Sequence, residues 1–166
     1  MTRGRDTGRR GSAGLPLRLA TAAIVAATLG ACQEHEIETP SRAERVEEAE
    51  AIFDPAMFDT IAWADPELRI QQGNAVYAAE CRRCHGTLGE GDTEYAREHG
   101  LDVPSLVKPD WEYAGDPAAV RRRIFIGHEA GMPTWGVAGI TPREIDAVAA
   151  YVTEDLRPEV LGAGSP

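Results

Sequence analysis

Several features are scarce in this chain of 166 residues. It contains three cysteines, and an odd number argues against a framework of disulfide bonds. Aromatic residues make up only 6% of the chain, so a core formed by the protein alone would be thin. No useful length of sequence alternates between apolar and polar residues as a half-buried strand does, which predicts an all-α fold.

Basic residues are also scarce outside the N-terminal region. The formal net charge is −10, but residues 1–31 carry five arginines and one aspartate. Residues 32–166 therefore contain 12 basic and 26 acidic side chains, a net charge of −14. Such a surface repels the phosphates of nucleic acid, which argues against a nucleic-acid partner. Two interpretations stay open, namely electrostatic steering toward a basic patch on a protein partner and solubility alone.

The most informative segment is Cys81-Arg82-Arg83-Cys84-His85. Two cysteines three residues apart, with a histidine next to the second, are the protein's half of a covalent c-type haem attachment. On a helix these three side chains lie on one side of a single turn. The thiols of Cys81 and Cys84 can then form thioethers with the haem vinyl groups while His85 reaches the iron. We therefore predict one covalently bound haem, which would also enlarge the thin core.

Two other interpretations of a Cys-x-x-Cys pair are weaker. A zinc site of this type needs a second pair of ligands, and the chain has neither a second cysteine pair nor a close histidine pair. A thioredoxin-like redox pair would require a strand followed by a helix, and no histidine would follow the second cysteine.

The segment from Gly73 to Gly86 has the pattern Gly-x-x-x-Tyr-x-x-x-Cys-x-x-Cys-His-Gly. It resembles the opening helix of class I c-type cytochromes, and most closely the single-haem domains in the dihaem subunit of cbb3-type oxidases. The resemblance extends over residues 65–158. It implies a small all-α domain of three to five helices wrapped around one covalent haem c. It also implies a C-terminal helix that crosses the first helix near its glycine.

Gly131-Met132-Pro133 is the predicted source of the sixth iron ligand, Met132. A ligand on the far side of the haem must come from irregular backbone, which glycine and proline favour. The segment is also similar to the distal loop of the cytochrome family. A thioether ligand stabilises ferrous iron and raises the reduction potential. His128 is the alternative ligand, and it would lower the potential.

Three further residues are expected around the haem. Pro104 lies in a segment that resembles the family's Pro-x-Leu motif, where a backbone carbonyl accepts a hydrogen bond from the haem histidine. Trp111 is expected to flank the haem or its propionates, with ordinary edge packing as the alternative. Trp135 is expected to form a wall at the haem edge.

Capping residues followed by proline predict the starts of three helices. These are expected to cover residues 65–85, 116–126 and 141–157, and to end at Gly86, Gly127 and Pro158. Of the three arginines at residues 121–123, one is expected to meet a propionate and at least two to be solvated. The last residues, 159–166, are expected to form a frayed tail.

Residues 1–31 have the features of an export signal. Five arginines precede an apolar run, residues 19–30, that is too short to span a bilayer comfortably but suits a signal peptide. Leu29-Gly30-Ala31-Cys32 resembles a bacterial lipobox. This implies cleavage before Cys32 and a lipid on Cys32 that holds the protein at the periplasmic face of a membrane. An ordinary signal with an incidental cysteine and an uncleaved N-terminal helix are the alternatives.

Residues 32–64 are predicted to be an acidic tether. Ser41 and Glu44 have the spacing of a capping box, which predicts a short polar helix around residues 42–52. Its apolar positions are too few for a core-facing stripe, so a solvated spacer is expected. The apolar patch at residues 52–63 either packs against the domain or receives a partner.

Together these features predict an electron carrier rather than an enzyme. Haem iron with both axial positions filled transfers electrons without binding a substrate. The expected partners are respiratory proteins such as a quinol-oxidising complex or a terminal oxidase. A haem enzyme or gas sensor is the alternative, and it requires Met132 to be absent from the iron. A third hypothesis is a fixed subunit of a respiratory complex.

Overall fold

A computed structural model describes residues 39–163, and the predicted all-α fold is confirmed within that range. The α-helical segments are α1 (Arg42–Ile52), α2 (Pro66–Val76), α3 (Arg82–His85), α4 (Glu94–Glu98), α5 (Pro117–Ile126), α6 (Trp135–Ala138), α7 (Pro142–Ala150) and α8 (Arg157–Ala163). A 3-10 helix covers Pro55–Phe58, and two π-helical segments cover Tyr77–Cys81 and Tyr151–Leu156. The predicted signal, the lipid-attachment residue Cys32 and the start of the tether lie outside the described residues.

The predicted capping interactions begin the main helices. The Asp65 side chain accepts a hydrogen bond at the start of α2, and Asp116 accepts one from Ala119 at the start of α5. Thr141 and Glu144 form the predicted capping box of α7. These local interactions satisfy backbone donors that a helix leaves unpaired at its N-terminus, which explains why the starts were predictable.

The π segment Tyr77–Cys81 joins α2 to α3, so that the three form one continuous helix. A π turn contains one extra residue, so it rotates the side chains that follow it relative to those before it. The turn ends at Cys81, the first residue of the Cys-x-x-Cys-His motif. The orientation of the motif therefore depends on a feature that the sequence pattern did not predict.

α2 crosses α7 at Gly73, as predicted. A Cβ atom added at Gly73 would lie 2.1 Å from the carbonyl oxygen of Ala147 and 2.7 Å from the Cβ of Tyr151. The Tyr77 and Tyr151 rings pack beside this crossing, with centroids 5.4 Å apart. The Tyr77 hydroxyl donates a hydrogen bond of 2.8 Å to the carbonyl of Gly86. This crossing fixes the helix that carries the two cysteines.

The prediction that Pro158 ends the last helix is wrong. The helix continues through the π segment Tyr151–Leu156 into α8, which ends at Ala163. A proline inside a helix lacks a donor and its ring collides with a carbonyl four residues earlier. Here the proline lies two residues after the π segment, where the backbone amide of Arg157 donates to the carbonyl of Val152. Part of the predicted frayed tail is therefore helical.

Residues 40–64, which we call the N-terminal segment, differ from the predicted solvated spacer. α1 forms with the predicted capping box, but Ala49 has no exposed surface and Phe58 is buried. The Phe53 ring packs edge-on against Phe125 of α5, with centroids 5.3 Å apart. A single small residue and the apolar patch after α1 are enough to dock the segment. Residues 40–163 belong to one compact unit.

A buried carboxylate joins the N-terminal segment to three helices. Asp146 of α7 accepts hydrogen bonds from Trp63 Nε1 at 2.8 Å, from Arg69 Nε and Nη2 at 2.9 and 3.0 Å, and from Arg121 Nη1 at 2.9 Å. Burial alone would raise the pKa of Asp146, but the hydrogen bonds from Arg69, Trp63 and Arg121 together hold it below its ordinary value. Asp146 is therefore ionised in the folded domain at neutral pH.

The three consecutive arginines are not solvated as expected. Arg121 binds Asp146, and Arg122 forms an ion pair with Glu50 of α1. Arg123 donates to the hydroxyl of Tyr113 at 2.9 and 3.1 Å, and to the carbonyl of Gly127 at 3.1 Å. Each arginine thus joins α5 to a different part of the domain.

Among residues 39–163, no helix has the length and apolar character needed to cross a bilayer.

Candidate haem site

A cavity of about 550 Å³ lies among α3, α5, α7 and the loops between them. The seven residues predicted around the haem all line it: Cys81, Cys84, His85, Pro104, Trp111, Met132 and Trp135. Most of the remaining wall is apolar, including Val120, Ile124, Val148 and Val152. A cavity of this size and character is typical of a site for an organic cofactor. Cys32 lies outside the described residues.

The thiols of Cys81 and Cys84 are not activated. Burial, with smaller contributions from Glu80 and Cys84, raises the pKa of Cys81 to about 12, and burial also raises the pKa of Cys84. Catalytic Cys-x-x-Cys pairs have the opposite property, because their chemistry needs a thiolate at neutral pH. The electrostatics therefore disfavour a redox-active disulfide. Within the described part of the chain, no cluster of three or more metal-binding side chains is present, which disfavours a zinc site.

His85 has the properties of a neutral iron ligand. Burial lowers its pKa, and the nearby carbonyl of Pro104 opposes this shift. Nδ1 is buried, and no described atom makes a hydrogen bond of good geometry with it. The proximity of the Pro104 carbonyl favours a proton on Nδ1, which leaves Nε2 as the nitrogen available to a metal. The carbonyl that was predicted near this histidine thus lies beside its ring.

Met132 lies in a tight loop held by its own backbone. The His128 amide donates to the carbonyl of Met132 at 2.9 Å, and the Gly131 amide donates to the carbonyl of His128 at 3.0 Å. Gly127 enters the loop with φ of +68°, and a Cβ there would lie 2.5 Å from the carbonyl oxygen of Pro133. Only glycine adopts this conformation at so close an approach. Met132 itself is half-buried in the cavity wall.

His128, the alternative ligand, also lines the cavity, but its side chain is exposed. Its Nδ1 atom accepts a hydrogen bond of 3.0 Å from the Ala130 amide within the same loop. Because Nδ1 accepts this hydrogen bond, the proton of the neutral ring lies on Nε2, and neither nitrogen has a free lone pair for iron. This arrangement favours Met132 as the ligand.

Sequence reasoning missed the residue that holds Trp111. Arg157 is buried, and its guanidinium lies 5.0 Å from the centre of the Trp111 ring. The same group donates hydrogen bonds to the carbonyls of Leu106 and Lys108. Arg157 thereby fastens the loop that carries Trp111 to the last helix. No local pattern indicates this role, because Leu106, Lys108 and Trp111 are distant from Arg157 in sequence.

The residues around the cavity fit a covalently attached haem. Two thiols and a neutral imidazole lie on one helix, a thioether side chain lies on a separate loop, and all four line one apolar cavity. The buried Nδ1 of His85 lies close to the backbone carbonyl of Pro104, and such a carbonyl orients a metal-binding histidine.

Comparison with known proteins points the same way. The family model described as "Cytochrome C oxidase, cbb3-type, subunit III" matches residues 68–152, about half of the chain. The cbb3-type oxidase subunit FixP of Azorhizobium caulinodans is 34% identical over 82 residues, which cover 49% of this chain and 26% of that protein. Subunit CcoP of Rhodobacter capsulatus is 35% identical over 92 residues, which cover 52% of this chain and 29% of that protein.

Subunit CcoP of Cereibacter sphaeroides is 32% identical over 81 residues, which cover 49% of this chain and 26% of that protein. Each alignment thus covers less than a third of the relative's length. No solved structure matches the chain. The matched stretch contains the two cysteines, the histidine and the loop that carries Met132. The chain therefore belongs to the family of subunit III of cbb3-type cytochrome c oxidases, and its matched stretch is a class I c-type cytochrome domain.

Proposed function

We propose that this protein is a periplasmic electron carrier, anchored to a membrane by a lipid on Cys32, with a single haem c. Cys81 and Cys84 would form the two thioethers, and His85 and Met132 would be the axial ligands. One observation carries the proposal. The two thiols, the neutral imidazole and the methionine thioether line the same apolar cavity, although they come from two segments far apart in sequence.

Each residue has a separate task in this proposal. Haem c, when bound, supplies a one-electron couple between ferrous and ferric iron. Cys81 and Cys84 fix its position covalently, and the Pro104 carbonyl orients the ring of His85. Met132 would occupy the position that a substrate or gas would otherwise take, which is why we propose a carrier rather than an enzyme. The apolar wall, with Trp111 and Trp135, excludes water and so favours the less charged, reduced state.

The proposed partners are respiratory proteins. The relatives are named as subunits of cbb3-type oxidases, which supports a terminal oxidase as the electron acceptor. A quinol-oxidising complex is the proposed donor. The net charge of −14 for residues 32–166 would steer the protein toward a basic patch on either partner. The chain contains one Cys-x-x-Cys-His motif, which supports one haem.

Replacement of Met132 tests the proposed ligand. Met132→Ala should lower the reduction potential by on the order of 0.1 V or more, because the thioether that stabilises ferrous iron is lost. The reduced variant should also bind carbon monoxide rapidly. Redox titration and flash photolysis measure the two effects. Met57→Ala is the matched control, because Met57 is half-buried against the core but does not line the cavity.

Two results would contradict the ligand assignment. An unchanged potential in Met132→Ala would show that another residue binds the iron. Rapid binding of carbon monoxide by the unaltered reduced protein would indicate an open distal site, as in a haem enzyme or gas sensor.

Replacement of Cys32 tests the proposed anchor. Cys32→Ser should move nearly all of the protein from the membrane fraction to the soluble fraction, because a serine cannot receive the lipid that holds it there. Fractionation of cells followed by detection of the haem measures the change. The neighbouring Gln33→Ala variant should stay with the membrane. Retention of Cys32→Ser in the membrane fraction would instead support an uncleaved N-terminal helix.

A further inference from the structure

The N-terminal segment lies against the loop that carries Met132. Arg42 in α1 is beside Gly131, where an added Cβ atom would come 3.4 Å from the Nη1 atom of Arg42. The same Cβ would come 2.6 Å from the Cδ2 atom of Leu101, which lines the cavity. Gly131 is therefore enclosed between the N-terminal segment and the cavity wall. Since Gly131 directly precedes Met132, this contact reaches the proposed ligand through one peptide bond.

A second contact reaches the far end of the loop through one aromatic ring. Phe53 packs edge-on against Phe125, with an angle of 65° between the ring planes. The Phe125 ring in turn covers Gly136, where an added Cβ atom would come 2.1 Å from its Cδ2 atom. Gly136 follows Trp135, which lines the cavity. Residues 131–136 are therefore contacted at one end directly, and at the other through Phe125.

Ionic and apolar contacts hold α1 in this place. Glu50 forms an ion pair with Arg122 of α5, and the same guanidinium lies 6.0 Å from the centre of the Phe53 ring. Ala49 has no exposed surface. Because Arg122 and Phe125 both belong to α5, these contacts attach α1 to the helix that supports the distal loop.

We propose that the N-terminal segment is a positioning element for Met132. It packs against residues 131–136 from outside the cavity and so keeps Met132 on the iron. This role rests on the proposed function, since it requires Met132 to be the ligand. The segment lies before residue 68, where the family match begins. It therefore lies outside the matched stretch. Undocking the segment should free the loop and let exogenous ligands compete with Met132.

The test uses the full-length, haem-loaded protein and imidazole as the competing ligand. Phe53→Ala removes the ring that contacts Phe125. Loss of one edge-to-face aromatic contact corresponds to a change of up to about tenfold in a local opening equilibrium. We therefore expect imidazole to bind the ferric variant up to about tenfold more tightly. The near-infrared charge-transfer band, which reports a sulfur ligand on ferric iron, should weaken. Phe53→Tyr, which retains the aromatic ring, should keep both properties close to those of the unaltered protein.

Ile61→Ala is the control for general destabilisation. Ile61 belongs to the same segment and is partly buried against the core. It follows Phe53 in sequence and takes no part in the contacts with α5 described above. The positioning role predicts unchanged imidazole affinity in Ile61→Ala, even if urea unfolds that variant more easily. Equal gains in affinity for Phe53→Ala and Ile61→Ala would overturn it. So would a Phe53→Ala variant that is less stable but has the band and imidazole affinity of the unaltered protein.

Arg42→Ala keeps the proposal testable if Phe53→Ala does not fold. Arg42 is exposed, so its loss should not unfold the domain. We expect a gain of a few-fold in imidazole affinity, with Arg45→Ala of the same helix unchanged, and equal affinities in the two variants would overturn the role. Absence of the sulfur-to-iron band in the unaltered protein would instead refute Met132 as the ligand, and the positioning role with it.

Discussion

Replacing both Cys81 and Cys84 by alanine should make the bound haem fully extractable from the acidified protein by an organic solvent. In the unaltered protein we expect nearly all of the haem to stay with the polypeptide, because two thioether bonds do not break under these conditions. The same variant should give a pyridine spectrum of haem with intact vinyl groups. Denaturing electrophoresis with a stain for haem provides an independent measurement, since only covalently bound haem stays with the chain.

The third cysteine of the chain provides the matched control. Cys32→Ser removes one cysteine, as each single variant of the motif does, but it should leave covalent haem unchanged. Cys81→Ala and Cys84→Ala should each retain haem through one bond and give intermediate pyridine spectra. Covalent haem in the double variant, or a colourless unaltered protein after maturation in a host that attaches haem, would refute the assignment of both cysteines.

The parts of the structure that were predictable depend on neighbours in sequence. The helix starts at Asp65, Asp116 and Thr141 are formed by side chains that bind backbone groups two or three residues away. The Cys-x-x-Cys-His motif has the same local character, because one helical turn brings its members together. The crossing at Gly73 was predictable because the resemblance indicated which helix approaches it.

The parts that were missed depend on partners distant in sequence. Ala49 gives α1 too little apolar surface to indicate burial, but Phe53 and Arg122 dock the segment on α5. The π turn before Arg157 is a change of helical register that carries no recognisable residue pattern. The helix continues through Pro158, and Arg157, which directly follows the π turn, contacts Trp111 of a distant loop. The residues that support the site were therefore less predictable than those that line it.

Asp146→Ala should lower the free energy of unfolding by about 3 kcal/mol, the lower end of the range for breaking a buried ion pair. The variant leaves Arg69 and Arg121 without their shared carboxylate, and both side chains are largely covered, with 21% and 25% of their surface exposed. Because part of each arginine is exposed, water can solvate the charge that Asp146 no longer pairs. The lower end of the range of destabilisation therefore applies. Trp63 also loses its hydrogen-bond acceptor. Urea unfolding at neutral pH measures the difference.

Glu154→Ala is the matched control, because Glu154 binds the same arginine, Arg69, at 3.1 Å but is half-exposed. Exposed ion pairs contribute about 0–1 kcal/mol, so this variant should stay near the stability of the unaltered protein. Equal losses in the two variants would show that the buried position of Asp146 has no special effect. They would also show that its contacts with Trp63 and Arg121 contribute little.

The stabilisation by Asp146 should depend on pH in a defined direction. Its pKa is lower in the folded domain than the ordinary value of 3.8, because the hydrogen bonds from Arg69, Trp63 and Arg121 outweigh the effect of burial. The unfolded chain therefore binds the proton more tightly, and the contribution is complete above the ordinary pKa and lost as the pH falls through the lower pKa of the folded state. The difference in unfolding free energy between Asp146→Ala and the unaltered protein should thus be constant from pH 7 to about pH 5 and shrink below about pH 4. A difference that stays constant down to pH 3 would mean that the carboxylate is not the source of the stabilisation.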